Sequence, residues 1–226
     1  MERAWARRRA LHHGRVGRAV AEHTRAAFAI GWVMLKETLP EALARVSRLC
    51  EAVRLPFALI GGMAMILRVR PRTTFDIDVV IAARRSDVDR ILRAASEVGF
   101  SHDATPGARA LAEEGLVQLR GPIAGETFGA DLIFADSAFL SRVVERATPV
   151  TIGGTTVPVA TVEDLLLLKL EANRPIDLDD AIAVKDAFES SLDRGYLVEQ
   201  SRALDLEGAL ASLLGTTDGS KPAGGG

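Results

Sequence analysis

Residues 59–82, LIGGMAMILRVRPRTTFDIDVVIA, decide how the rest of the chain is read. β-branched and apolar residues flank Asp76 and Asp78 on their C-terminal side, which predicts a strand over Thr74–Ala82, mostly buried in a sheet. Strand side chains alternate between faces, so Arg72, Thr74, Asp76 and Asp78 share one face and Ile77 and Val79 the other. Two like charges then stand close together. That is costly unless one carboxyl is protonated, a cation such as Arg72 lies near, or a divalent metal bridges the pair. A hard, oxygen-ligated ion, Mg2+ or Mn2+, suits this donor set. The plainer alternative is a solvated strand end with two exposed acids, because D-x-D alone is a common pattern.

The first half of the stretch adds a second signal. Phe57–Ile60 is a short apolar run that reads as a strand, Gly61 and Gly62 follow it directly, and Met63–Val69 has helical character. A strand, a tight glycine turn and a helix N-terminus together present free backbone N–H groups and the positive end of a helix dipole, a seat for phosphate. A Gly-Gly pair alone equally marks a simple tight turn. With an acidic strand only one short helix later, the pair predicts a phosphate seat beside a metal site.

At 226 residues the chain has room for one substantial core and no more than two domains. Its 48% hydrophobic and 26% charged content is ordinary for a globular protein, so disorder is expected only at the ends. Cys50 is the single cysteine, which excludes a disulfide framework and a thiolate zinc site and fits a reducing cytosol. His12, His13, His23 and His102 show no metal-ligand spacing. The net charge of −2 hides an asymmetry, because residues 1–25 carry seven arginines against Glu2 and Glu22. The apolar run Ala26–Leu35 behind them imitates a signal peptide, yet it contains Gly31 and meets Lys36 and Glu37 with no small-residue cleavage site. No other stretch approaches the length of a membrane span, and the expected address is the cytoplasm.

In chain order, the arm from Met1 to about His23 has few large apolar residues and is expected to be dispensable for folding, a solvated arm or a nucleic-acid contact. A docking helix around Phe28–Leu35 and, after Pro40, an amphipathic helix carrying Leu43, Val46, Leu49, Cys50 and Val53 feed the first strand. Ser86 is placed to cap a helix over Asp87–Val98 that Gly99 closes. Residues 101–125 read as a loop-rich stretch with a short strand at Leu116–Leu119. Phe128–Phe134 is a strand bearing one acid, Asp131, among apolar neighbours; such a carboxylate meets a cation or a metal, or lies on a wet edge. Val150–Val159 reads as a hairpin turning at Gly153-Gly154. Thr161-x-x-Asp164 opens a nearly apolar helix over Val162–Ala172, in which Lys169 shares a stripe with Leu165 and Leu166 and either snorkels to water or reaches an anion. A break then leads to a helix with Asp177 as its expected N-cap, and Tyr196–Leu214 reads as two short helices.

Gly-Gly, thirteen residues, then Asp-Ile-Asp resembles the signature of the nucleotidyltransferase superfamily typified by DNA polymerase β. Arg72-x-Thr74, and Lys169 followed by Arg174-x-x-Asp177-x-x-Asp180, are similar to its minimal AbiEii-like and MNT-like members from bacterial toxin–antitoxin and phage-defence systems. The resemblance spans Phe57–Phe188. It implies an α+β fold, a small mixed sheet with flanking helices and a helical C-terminal part. The expected units are a basic flexible arm over 1–23, a nucleotidyltransferase domain over 24–190, a helical extension over 191–214 and a disordered tail over 215–226. By the same resemblance Asp76, Asp78 and Asp131 bind Mg2+ or Mn2+ and carry catalysis, while Gly61, Gly62, Arg72, Thr74 and Lys169 hold the nucleoside triphosphate.

The function that follows is transfer of a nucleoside monophosphate from a nucleoside triphosphate to a hydroxyl of a tRNA, a protein or a small molecule, with a cognate toxin or antitoxin as a further partner. Two rivals stand beside it. A D-x-D glycosyltransferase would also use Mn2+ but needs more chain and leaves Gly61-Gly62 and Asp131 unexplained. A nucleotide-binding or antitoxin-like interaction protein would keep the pocket without transfer.

Overall fold

The computed structural model describes residues 25–72, 74, 76–103, 105–123 and 125–215. The expected basic arm and, apart from Gly215, the expected flexible tail fall on residues outside this set. In chain order, α1 (Arg25–Val53), β1 (Phe57–Ile60), α2 (Gly61–Arg68) and β2 (Asp76–Ile81) are followed by α3 (Val88–Glu97), β3 (Ser101–His102), α4 (Pro106–Glu113), β4 (Leu116–Ile123) and β5 (Glu126–Phe134). Then come α5 (Ala138–Arg146), the hairpin β6 (Thr148–Ile152) and β7 (Thr155–Val159), and the helices α6 (Val162–Ala172), α7 (Pro175–Phe188), α8 (Arg194–Ala203) and α9 (Glu207–Leu214). Among the described residues the strands form one mixed sheet in the order β3-β4-β5-β2-β1-β7-β6. This is the α+β architecture that the sequence implies.

β2 sits mid-sheet, antiparallel to β1 and parallel to β5. From Ile77 to Ile81 every side chain is buried, so both faces of the strand are covered. That accounts for its run of β-branched residues, since a strand wet on one side would alternate. Helix α6 is apolar nearly all round for the same reason. Leu165, Leu166, Leu167, Leu168 and Leu170 are all buried, and the helix packs against α2, α7 and α8.

Five local readings are corrected. α1 runs unbroken through Pro40, because the missing N–H removes only one helical bond and buried residues on both sides, Leu39 and Leu43, hold the turn in place. α2 begins on the glycines themselves, and β2 begins at Asp76, two residues later than expected. Residues 101–125 are mostly regular, holding β3, α4 and a β4 that continues to Ile123; α4 has no fully buried residue and so no apolar stripe to announce it. Arg174, not Asp177, is the N-cap of α7, and Pro175 takes the first helical position.

Cys50 is a core residue whose thiol burial pushes up to about 12, so it is inert at neutral pH. No helix among the described residues is long and apolar enough to cross a membrane.

The start of α6 is tied to α5 and α8 by a buried polar knot. Tyr196 Oη donates to Asp164 Oδ1, Thr161 Oγ1 donates to Asp164 Oδ2 at 2.9 Å, and Arg146 Nε lies 3.3 Å from the same oxygen, its guanidinium 3.8 Å from the centre of the Tyr196 ring. Burial raises the Asp164 carboxyl above its ordinary range even against these three partners. Tyr196→Phe removes a donor from a carboxylate that water cannot reach, at a cost of about 1–3 kcal/mol. We expect its melting temperature to fall by several degrees with nucleotide binding unchanged, as thermal melts and titrations will show.

Candidate active site

The sheet register brings the three predicted carboxylates onto one face. Asp78 of β2 pairs with Asp131 of the parallel β5, and Asp131 pairs with Gln118 of β4, so Gln118, Asp131 and Asp78 form one row across the sheet. The row beside it is Arg120, Gly129 and Asp76. Asp78 and Asp131 are buried, and Asp76 is half-buried.

Glycines make the room for these acids. A Cβ on Gly61 would lie 1.9 Å from Asp78 Oδ2, and one on Gly129 would lie 2.5 Å from Asp76 Oδ1. Gly61 also has φ +66°, a left-handed conformation that costs other residues about 1–2 kcal/mol. A Cβ on Gly62 would lie 2.8 Å from Thr74 Oγ1, so the Thr74 hydroxyl is held against the start of α2. The N-cap of α2, Ile60, supplies no side-chain cap, and the Asp78 carboxylate lies against this positive end of the helix. Gly61→Ala must displace the Asp78 carboxylate as well as strain the backbone. It is expected to lower the melting temperature and remove activity together, whereas Gly208→Ala, with open space at its Cβ, changes neither.

The other predicted binding residues meet elsewhere. Arg72 Nη1 donates to Asp180 Oδ2, Arg70 Nη2 donates to Asp180 Oδ1 at 3.2 Å, and Lys169 Nζ lies 2.9 Å from Asp180 Oδ2 and 2.8 Å from Asp177 Oδ1. Arg174 grips Asp177 from the other side, Nη2 to Oδ1 at 3.1 Å. Lys169 is thus paired with two buried acids rather than left unpartnered on its apolar stripe. Four cations, Arg70, Arg72, Lys169 and Arg174, surround two buried carboxylates, Asp177 and Asp180, and leave a positive surplus where α6 packs on α2. Arg72 Nε is buried with no hydrogen-bond partner among the described residues.

The sequence-based site lacks Asp177 and Asp180, because acids near a helix start are explained by the dipole alone. The usable signal is their spacing of three, which puts both on one face of α7, directly after a helix ending in a lysine-bearing turn. Gln118 carries no signal at all until the register is known.

A divalent cation fits the donor chemistry of the sheet face: carboxylate oxygens only, with Asp78 and Asp131 one interstrand step apart. As the side chains stand, no three His, Cys, Asp or Glu groups among the described residues are gathered closely enough to hold an ion. Two carboxylates with phosphate oxygens and water are enough for Mg2+, and Asp78 and Asp131 supply such a pair.

A family model for the nucleotidyl transferase AbiEii toxin of type IV toxin–antitoxin systems matches residues 42–188, well over half of the chain and reaching back into α1. Among curated proteins none matches the sequence. Similar folds among solved structures include an antigenic nucleotidyltransferase-like protein from Paracoccidioides brasiliensis, 16% identical over 79% of this chain and 92% of that one, with a TM-score of 0.50. The lincosamide antibiotic adenylyltransferase LnuA bound to lincomycin is 14% identical over 65% of this chain and 96% of its own, with a TM-score of 0.47. ANT(2″)-Ia in complex with adenylyl-2″-tobramycin is 15% identical over 76% and 98%, with a TM-score of 0.43.

Proposed function

We propose, since this chain belongs to the family of AbiEii nucleotidyl transferase toxins, that it moves a nucleoside monophosphate from a nucleoside triphosphate to a hydroxyl acceptor in a reaction dependent on Mg2+ or Mn2+. The observation that carries the reading is the register of Asp78 with Asp131, which puts three acids on one sheet face beside the start of α2. In this reading Asp76, Asp78 and Asp131 hold the ion, which when bound would withdraw charge from the α-phosphate. The N–H groups at Gly61 and Gly62 and the Thr74 hydroxyl receive phosphate oxygens. Arg72 and Lys169, fixed by Asp180 and Asp177, supply the positive surplus that a triphosphate needs. The acceptor oxygen bonds to the α-phosphorus, the bond from that phosphorus to the bridging oxygen breaks, and pyrophosphate leaves. Asp131 accepts the hydroxyl proton.

The acceptor class, a tRNA, a protein or a small molecule, is the open term of this proposal, and the family name supports a cognate antitoxin as partner. A second reading, nucleotide binding without transfer, uses the same residues and differs only in whether the α-phosphate moves. One experiment separates the two. The protein is incubated with α-labelled or γ-labelled nucleoside triphosphates, a cell extract as acceptor source, and Mg2+, Mn2+ or chelator. Label is expected to reach an acceptor from the α position only, and only with metal. Label from the γ position would make the protein a kinase, and binding without transfer would leave the second reading standing.

A further inference from the structure

We propose that Gln118 is the positioning residue for Asp131, a neutral clamp that sets the third carboxylate for its cation. The inference rests on the metal-dependent reading above. Gln118 stands directly opposite Asp131 in the antiparallel β4–β5 pair, and its Nε2 straddles the carboxylate, 3.3 Å from Oδ1 and 3.5 Å from Oδ2. Both distances are long for a hydrogen bond, so the amide steers the carboxylate without locking it.

The residue type matters as much as the place. Asp131 is buried, and Asp78 is its neighbour on the other side of the row, so whatever stands at position 118 fixes the charge of this row. A lysine or arginine there would pair with Asp131 and compete with a cation for it. A leucine or methionine would leave the carboxylate without that donor. Glutamine donates N–H while adding no charge, which orients Asp131 and keeps its full negative charge for a metal. The same two strands do place an arginine on this face, Arg120, but one step further along, opposite Gly129 rather than opposite Asp131. Side chains that orient a ligating group from behind govern metal affinity nearly as strongly as the ligands do, by about 10–100-fold when removed.

The test is Mn2+ titration of the full chain with no nucleotide, following the free ion by electron paramagnetic resonance. Wild type, Gln118→Met, Gln118→Leu, Asp131→Asn, Asp78→Asn and the double variant Gln118→Met with Asp131→Asn are compared. Gln118→Met is expected to weaken Mn2+ binding by about tenfold or more, and to weaken it no further once Asp131 is already asparagine, because the clamp acts only through that carboxylate. A Gln118→Met titration that superimposes on wild type overturns the clamp alone. So does an equal loss in the Asp131→Asn background, which would mean that Gln118 acts by another route. If Gln118→Met does not melt cooperatively, Gln118→Leu decides by the same criteria, and failure of both to fold makes Gln118 a structural residue and overturns the proposal. Wild type binding no more Mn2+ than Asp78→Asn would overturn the clamp and the metal-dependent reading together, a result distinct from the others.

Discussion

Asp78→Asn and Asp76→Asn are each expected to cut nucleotidyl transfer by orders of magnitude while leaving the protein at least as stable as wild type in the presence of a chelator. Asparagine keeps the size of aspartate, so the close approach of Asp78 to Gly61 still fits. What disappears is one negative oxygen from the face that holds the cation. Losing a group that stabilises developing charge costs about 10²–10³ in rate when it is a single hydrogen-bond donor, and a metal-binding charge is a larger loss. The stability argument has the opposite sign. Asp78 is almost fully buried beside Asp131, and an amide there costs less to desolvate than an ionised carboxylate next to another. Transfer from α-labelled nucleotide and melting curves in chelator check the two halves. A variant that transfers within tenfold of wild type would remove these residues from the reaction, and one that is inactive only because it unfolds would show that the carboxylates are structural.

What the chain discloses locally and what it does not divides along the range of each interaction. The strand, glycine turn and helix around Gly61 are written in adjacent residues, because alternation and glycine content act over a few positions. Asp131 is legible because a charge in an apolar strand is an anomaly wherever it occurs. That Asp131 stands opposite Asp78 depends on pairing between strands roughly fifty residues apart in sequence, which nothing near either residue encodes. Gln118, by contrast, comes opposite Asp131 through the short β4–β5 hairpin, whose register is set by its tight connection between Ile123 and Glu126. The helical pair is intermediate. Asn173 adopts a left-handed conformation that ends α6, and Pro175 opens α7 two residues later, so the last turn of one helix faces the first turns of the next. Read with that turn in mind, Lys169, Asp177 and Asp180 form one cluster. Read separately, they are a stray lysine and two acids that favour a helix start.

That cluster makes Lys169→Met the second large effect, and it reverses an argument that the sequence invites. A lysine unpartnered on an apolar stripe would be costly, and its replacement by methionine would keep or improve stability. Lys169 is in fact held by Asp177 and Asp180, both buried, so methionine leaves two carboxylates short of a cation. Breaking a buried pair costs about 3–5 kcal/mol, and the lower end applies here because Arg174 still serves Asp177 while Arg70 and Arg72 still serve Asp180. The pH dependence gives a sharper signature. Burial by itself would raise the Asp177 carboxyl, but the hydrogen bond from Arg174 and the charge of Lys169 outweigh it and hold the group below its ordinary value. A carboxyl lowered in the folded state adds stability above its unfolded pKa, about 3.9, and loses it as pH falls through the folded value. Removing Lys169 shrinks that lowering, so the acid unfolding transition of Lys169→Met should move to higher pH. Asp164 does not confuse the assignment, because its carboxyl is raised, chiefly by burial, and acidification relieves its cost. Urea melts at neutral pH and an acid titration followed by circular dichroism measure both effects, and nucleotide affinity measured well above the acid transition completes the test. Weaker nucleotide binding with the expected loss of stability assigns Lys169 to the phosphate seat as well as to the fold. Unchanged binding in a destabilised variant would confine it to holding α6 against α7.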